Sequence, residues 1–133
     1  MIKAWGIGFI ILFIVDMMVF VATLINYDQR ALMPLLRISP FVASFVAAYL
    51  SPRNKFTIGM SLAIPTAILG LVVTIAYQLF GKAVDFAGLQ GGLILFAVSL
   101  AYGFILCSLG GAAGCFLARI LTILRKNRGD TKV

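Results

Sequence analysis

Four long apolar stretches separated by short polar connections make up most of the chain. A helix needs about 20 mainly apolar residues to cross the hydrocarbon core of a bilayer, and these stretches have about that length. The predicted helices cover residues 5–25, 32–51, 57–80 and 93–121, followed by a short tail, 122–133. The pattern predicts an all-α integral membrane protein, built as a single domain of four transmembrane helices.

The composition supports the membrane assignment. The chain has 133 residues, of which 62% are hydrophobic and 11% charged, whereas soluble domains are about 45–50% apolar. Almost no chain is left for a soluble domain. The first apolar run follows Lys3, as in a signal peptide, but it is too long and no small-x-small cleavage site follows it. We therefore expect a retained helix.

The placement of the charges predicts an orientation. Eleven Lys and Arg against four Asp give a net charge of +7, with no Glu and no His. If the four helices alternate in direction, eight cations lie at one membrane face: Lys3, Arg53, Lys55, Arg119, Arg125, Lys126, Arg128 and Lys132. Three lie near the other: Arg30, Arg37 and Lys82. The positive-inside rule then predicts cytoplasmic N- and C-termini, in a membrane of the bacterial inner-membrane type.

The basic end of the chain predicts a binding surface for lipid or protein. Its cations are Arg119, Arg125, Lys126, Arg128 and Lys132. The favoured interpretation is an anchor on anionic lipid headgroups, each cation contributing about 1 kcal/mol. The second is docking of an acidic cytoplasmic protein. Direct nucleic-acid binding is not expected, because the tail lacks interleaved aromatic residues and a folded reader.

Asp16 is the main candidate for a functional residue. It is the only ionisable side chain between Trp5 and Ile25, and a charge at the centre of a bilayer costs roughly 2.5–3.5 kcal/mol on insertion scales. Asp16 could form an ion pair with Arg37, although the two side chains lean in opposite directions. It could instead be neutral and hydrogen-bonded to a hydroxyl such as Ser44, Thr66 or Ser108. Copies of Asp16 could also meet around an oligomer axis and line an ion path.

Further polar and helix-distorting residues lie at membrane depth. A stripe at four-residue spacing follows the third predicted helix: Thr66, Gly70, Thr74 and Gln78. Such a stripe can hydrogen-bond to other helices or line a path for water or ions. Pro40 and Pro65 each leave a carbonyl without its helical donor, and such carbonyls must face the bundle or a cavity. The polar candidates are therefore Asp16, Arg37, Ser44, Thr66, Thr74 and Gln78.

The fourth predicted helix carries a small-xxx-small pattern. Its members are Ser99, Gly103, Cys107, Gly111 and Cys115, with Gly110 and Gly114 forming a parallel GxxxG. Such ridges let another backbone approach closely. The partner is either a neighbouring helix or a second copy, and we expect a homo-oligomer. The two cysteines are about 12 Å apart along one helix and cannot pair. With no His and no CxxC, neither a metal nor another cofactor is expected.

Two families share limited features with this chain. The acidic residue midway along the first of four helices resembles that of the small multidrug resistance exporters, which implies exchange of protons for cationic drugs. In place of that family's aromatic cage, this chain has Arg37, Thr66 and Gly70. The segments VDMMVF (15–20) and NKFT (54–57) are similar to GtrA-like polyprenyl-sugar flippases.

These features predict a function without enzymatic chemistry. No His, no Glu and no cluster of nucleophiles is present for general acid–base work. We expect a small homo-oligomeric inner-membrane protein that acts as a sensor, scaffold or pore-forming subunit. Its basic end, Arg119 to Lys132, would couple it to a soluble cytoplasmic partner. The alternative is a proton- or ion-coupled small transporter or channel that uses Asp16.

Overall fold

A computed structural model describes residues 2–25, 33–79 and 88–129, and all regular structure in these ranges is helical. The elements are α1 (Ile2–Leu24), α2 (Met33–Leu50), α3 (Lys55–Ser61), α4 (Ala63–Leu79) and α5 (Gly88–Gly129). Three segments are long and apolar enough to cross a membrane: Ile2–Ala22, Lys55–Val73 and Phe96–Arg125. The apolar segment of α2, Pro34–Leu50, is shorter. The predicted all-helical fold class is confirmed.

Large apolar side chains point outward along the bundle, as expected of a surface that faces lipid. On α1, Ile10 is 55% exposed, and on α5 Phe116 is 67% exposed. A water-soluble monomer rarely exposes contiguous apolar surface of this extent. The distribution of side chains thus agrees with the length and apolarity of the helices, and it favours a membrane protein.

The third predicted helix, residues 57–80, is divided into α3 and α4. The division falls at Leu62, whose N–H donates to the carbonyl of Gly59 at 3.3 Å. This acceptor lies three residues back along the chain, whereas in an α-helix it would lie four residues back. Pro65 has no N–H for the carbonyl of Ser61, so the regular bonding cannot run through this turn. The helix resumes where the Thr66 N–H donates to the Leu62 carbonyl at 3.1 Å.

A tight turn over residues 51–54 connects α2 to α3. Asn54 adopts a left-handed conformation with φ 50° and ψ 41°, which asparagine tolerates better than most residues. The Ser51 hydroxyl donates to the Arg53 carbonyl at 2.6 Å. The Lys55 ammonium donates to the carbonyls of Tyr49, at 3.2 Å, and Ser51. The turn therefore satisfies carbonyls that the end of α2 leaves without helical donors.

Glycines allow α5 to pack closely on α2 and α3. A Cβ added to Gly110 would lie 2.3 Å from the Phe41 carbonyl oxygen, and one added to Gly114 would lie 2.5 Å from that of Phe45. At Gly59 of α3, an added Cβ would lie 2.8 Å from the Gly111 Cα. No larger side chain fits at these positions without moving backbone. The glycine ridge of α5 therefore packs within the chain.

The apolar core lies where α1 to α5 converge towards the 51–54 turn. Helix α5 packs against α2, α3 and α4, and α1 packs against α2 and, less extensively, α4. The buried cluster consists of Leu12, Ala43, Ala47, Ile58, Leu62, Ala63, Leu69 and Cys107. Trp5 and Phe9, whose rings stack with centroids 5.5 Å apart, pack against it. The core holds this end of the bundle closed.

Candidate functional site: a cavity between four helices

A cavity of about 180 Å³ lies between α1, α2, α4 and α5. It is lined by Asp16, Leu36, Arg37, Ser39, Pro40, Thr66, Gly70, Ser99 and Tyr102. Six of these nine residues carry a carboxylate, a guanidinium or a hydroxyl, and these groups lie among mainly apolar surface. One water needs roughly 10–15 Å³ of such space. The cavity can therefore hold several waters, or a small solute or ion together with water.

Asp16 and Arg37 line the same cavity but form no ion pair with each other. The Asp16 side chain is buried, with 8% of its surface exposed, whereas that of Arg37 is exposed. This difference agrees with the expected lean of the two side chains in opposite directions. The carboxyl is therefore held inside the bundle, and the guanidinium lies nearer to the surroundings.

The hydroxyls of Ser44 and Thr66 occupy different places. Thr66 lines the cavity with Asp16, and its hydroxyl donates to the Leu62 carbonyl at 2.7 Å. Ser44 is fully buried outside the cavity, and its hydroxyl donates to the Cys107 carbonyl at 2.5 Å. Ser44 thus connects two helices and does not line the cavity with Asp16.

Pro40 places an irregular stretch of α2 at the cavity wall. Because Pro40 has no N–H, the carbonyl of Leu36 lacks its usual helical donor. The Ser39 hydroxyl donates to this carbonyl at 2.9 Å. Pro40 is buried and lines the cavity. For Pro40, the prediction that the kink faces the bundle or a cavity is therefore confirmed.

Three hydrogen bonds fix this part of α2 on α5. The Tyr102 hydroxyl donates to the Arg37 carbonyl at 3.3 Å, and the Cys107 thiol donates to the Pro40 carbonyl at 3.6 Å. In the third bond, the Ser44 hydroxyl donates to the Cys107 carbonyl. In lipid, bonds between helices contribute about 0.6 kcal/mol on average and up to about 1.7 kcal/mol each. The cavity wall is therefore anchored along its length.

The apolar core separates the cavity from the 51–54 turn. Leu12 precedes Asp16 by one helical turn of α1, and Ala43 and Ala47 follow Pro40 in α2. Leu62, at the break between α3 and α4, precedes Thr66, and Cys107 follows Tyr102 in α5. Each of these core residues lies between the cavity and the turn. The cavity is consequently closed towards that end of the bundle.

The other predicted residues of the membrane interior are distributed as follows. Thr74 and Gln78 lie in α4, and their side chains lie outside the described part of the structure. Ser99 lines the cavity and Cys115 is half-buried. The remaining members of the small-residue ridge are buried against α2, α3 or α4: Gly103, Cys107, Gly110, Gly111 and Gly114.

The predicted basic residues follow the last turns of α5. Arg119 and Arg125 are exposed. Lys126 and Arg128 lie in the helix, with side chains outside the described part, and Lys132 lies outside the described residues. Helix α5 thus continues to Gly129, beyond the predicted end at residue 121, and includes much of the predicted tail. It also begins five residues before the predicted start, at Gly88.

Two site residues were not predicted, Ser39 and Tyr102. Tyr102 lies three residues after Ser99 on α5, and both line the cavity. A tyrosine inside an apolar helix needs a partner for its hydroxyl, which is a signal that the sequence does contain. Ser39 directly precedes Pro40, so a hydroxyl beside an orphaned carbonyl was a second available signal.

Metal-binding side chains do not cluster in the described ranges, where no group of three or more His, Cys, Asp or Glu occurs. Cys107 and Cys115 are free thiols. Comparisons of the chain with protein-family models, curated proteins and solved structures find no match.

Proposed function

We propose that the protein is a small proton- or ion-coupled membrane transporter in which Asp16 is the residue that binds and releases the proton or ion. The single observation that carries this proposal is the shared cavity of Asp16, Arg37 and Thr66. These residues come from three different helices, and each is a polar residue within a predicted transmembrane segment. An ionisable side chain within a membrane bundle is costly and characteristically belongs to a proton or ion path.

In this proposal the chain crosses the membrane four times, through α1, α2, the α3–α4 pair and α5. Both termini are cytoplasmic, in a membrane of the bacterial inner-membrane type. The described cations support this orientation, because Lys3, Arg53, Lys55, Arg119 and Arg125 lie towards one end and Arg37 towards the other. The core would then close the cavity on the cytoplasmic side, so a ligand would enter from the outer side.

The depths of the two charged residues agree with entry from that side. Asp16 lies eight residues before the end of α1 at Leu24, about 12 Å along the axis. Arg37 lies four residues after the start of α2 at Met33, about 6 Å along the axis. A ligand coming from outside would therefore meet the exposed guanidinium before the buried carboxyl.

The charges favour a proton moving together with an anion. Arg37 attracts anions and repels cations, which argues against a cationic drug as the cargo. With Asp16 protonated, the cavity keeps the positive charge of Arg37 and binds an anion better. By linkage, a bound anion favours the protonated carboxyl by the same factor. Coupled binding of this kind needs only these two groups in one cavity.

The test is proton flux in proteoliposomes that contain a trapped pH-sensitive dye. After an external acid jump, with chloride or inorganic phosphate as the added anion, the natural protein should acidify the lumen faster than empty vesicles. Asp16→Asn, which keeps the side-chain shape, should reduce the flux to that of empty vesicles. Ser108→Ala is the control, because Ser108 is half-buried on α5 and does not line the cavity.

Two outcomes would contradict the proposal. Asp16→Asn could retain the natural flux, in which case Asp16 does not titrate during transport. It could instead lower the unfolding midpoint and the flux together, and Asp16 would then be a structural residue. Circular dichroism and gel filtration of the same preparations separate a specific loss of flux from a loss of fold.

A second candidate function is a sensor or scaffold coupled to a soluble cytoplasmic partner. It is favoured by α5, which at 42 residues is about 63 Å long, against a hydrocarbon core of about 30 Å. Beyond the bundle, α5 exposes Ile123 and Leu124 beside Arg125. Deletion of residues 125–133 should abolish binding of such a partner and leave proton flux unchanged. If the protein without residues 125–133 also lost proton flux, the cavity and the tail would not have separate roles.

Homo-oligomerisation stays a prediction, and the packing limits how it can occur. Gly110 and Gly114 contact α2 of the same chain, so this ridge is not free for a second copy. A dimer would have to use outward-facing surface, such as that around Ile10 and Ile14 on α1. A pore around an oligomer axis would likewise need a face other than the ridge.

A further inference from the structure

A second cavity, of about 290 Å³, lies near the 51–54 turn. It is lined by Tyr49, Leu50, Lys55, Ala118, Leu121, Thr122 and Arg125. These residues come from the end of α2, the first residue of α3 and the distal part of α5. The cavity is therefore built by three helices and lies on the opposite side of the apolar core from Asp16.

Two cations converge on this cavity. The Lys55 ammonium is held by the carbonyls of Tyr49 and Ser51, and an ammonium has three donors, so one remains for a ligand. The Arg125 guanidinium is exposed and offers a planar fork that suits phosphate oxygens. The only acidic residue in the described part of the chain, Asp16, lines the other cavity. No described carboxylate compensates the two positive charges.

The lining of the cavity is mainly polar, and exposed leucines lie at its rim. Leu50 is 46% exposed and Leu121 is 36% exposed, and Tyr49 lies beside them. A site for a soluble anion would not need exposed leucines at its rim. A phospholipid presents a phosphate joined to apolar chains, and this combination fits two cations flanked by leucines.

We propose that this cavity binds the phosphate of an anionic phospholipid, with Lys55 and Arg125 as the binding cations. In the proposed topology it lies at the cytoplasmic leaflet, where anionic lipids attract basic residues and where basic pockets between helices bind headgroups. Trp5 lies near the same end of the bundle, at a level typical of interfacial tryptophans. The proposal depends on insertion in a membrane and not on transport through Asp16.

The test measures the affinity of delipidated protein in detergent for phosphatidylglycerol and phosphatidylcholine by native mass spectrometry. Each cation near an anionic membrane surface contributes about 1 kcal/mol, which raises the binding constant about fivefold. Arg125→Gln should therefore weaken phosphatidylglycerol binding about fivefold, and Lys55→Gln with Arg125→Gln roughly 25-fold. The Arg125→Gln variant alone keeps the Lys55 bonds to Tyr49 and Ser51, so it reports on binding even if the double variant folds poorly.

The matched control is the pair Arg53→Gln and Arg119→Gln. This control also removes two positive charges, but from exposed positions that do not line the cavity. The affinity of this variant for phosphatidylglycerol should change less than twofold. An equal loss in this control would assign the effect to diffuse surface charge and overturn the site. If the natural protein bound phosphatidylcholine as tightly as phosphatidylglycerol, the cavity would not select an anionic headgroup and the proposal would be overturned.

Two further probes separate the sources of an anionic group. Inorganic phosphate alone should neither bind with comparable affinity nor displace phosphatidylglycerol, and displacement at equal concentration would assign the site to a soluble phosphate. A poly-glutamate peptide should bind the natural protein and Arg125→Gln equally. If the substitution weakened peptide binding and left lipid binding unchanged, the site would belong to an acidic protein and the lipid proposal would be overturned.

Discussion

Replacement of Gly110 by alanine should destabilise the bundle by separating α5 from α2. The added Cβ would lie 2.3 Å from the Phe41 carbonyl oxygen, 3.1 Å from its carbonyl carbon and 3.2 Å from its Cα. Carbon atoms and carbonyl oxygens in proteins normally approach to about 3.3–3.6 Å. The obstructing atoms are backbone, so no side-chain rotation relieves the clash and the helices must separate by about 1 Å.

The magnitude follows from two opposing terms. Forcing a methyl group into a packed contact costs about 1–3 kcal/mol. The gain in helix propensity from glycine to alanine opposes this by up to about 1 kcal/mol. Gly6→Ala supplies the second term alone, since an added Cβ there has nothing within 4 Å. The difference in unfolding free energy between the two variants should therefore be about 1–3 kcal/mol, with Gly110→Ala the less stable.

The assay is unfolding in mixed detergent micelles, followed by circular dichroism, with subunit number measured by light scattering. Gly110→Ala should unfold at a lower denaturant fraction than Gly6→Ala, with the same subunit number. Equal stability of the two variants would refute the close α2–α5 contact. A change in subunit number without a change in protomer stability would show that the ridge joins copies of the chain.

Two other substitutions test local contacts in the same unfolding assay. Ser44→Ala removes the buried hydroxyl bond to the Cys107 carbonyl and should cost about 0.6–1.7 kcal/mol; a loss no larger than that of Ser108→Ala would contradict the assignment. Asn54→Val should cost about 1–2 kcal/mol, because a β-branched residue is strained at φ 50°, whereas Asn54→Gly should retain full stability. A valine variant as stable as the glycine variant would be inconsistent with the left-handed turn.

The sequence was most informative about the helices whose ends coincide with changes in polarity. For α2, residues 32–51 were predicted and Met33–Leu50 are observed. The third predicted helix was continuous in the sequence-based interpretation, although Pro65 indicated a distortion. The interruption falls at Leu62, because a proline affects the bonding of the preceding turn. Hydropathy alone cannot locate such a break, since α3 and α4 are both apolar.

For the cavity, the sequence indicated the residues that are energetically costly to place in a membrane, but not how they are arranged. Asp16 and Arg37 stood out because charges are rare in apolar segments, and both line the cavity. Ser44 was a candidate partner for Asp16 and instead bonds to α5. Tyr102 was missed because its position at the cavity depends on which face of α5 meets α2. That face is set by the glycine ridge, and a ridge of small residues fits a neighbouring helix or a second copy equally well.

Because α5 is one continuous helix, its far end moves when the helix tilts at its contact with α2. Gly110 and Gly114 are both held against α2, and the helix runs on from Gly114 to Gly129. These 15 residues form an arm of about 22 Å. A tilt of about 5° at Gly114 would move the far end by about 2 Å, which follows from the rise per residue. A small tilt of α5 at this contact would thus become a larger displacement of the basic end without any change in secondary structure.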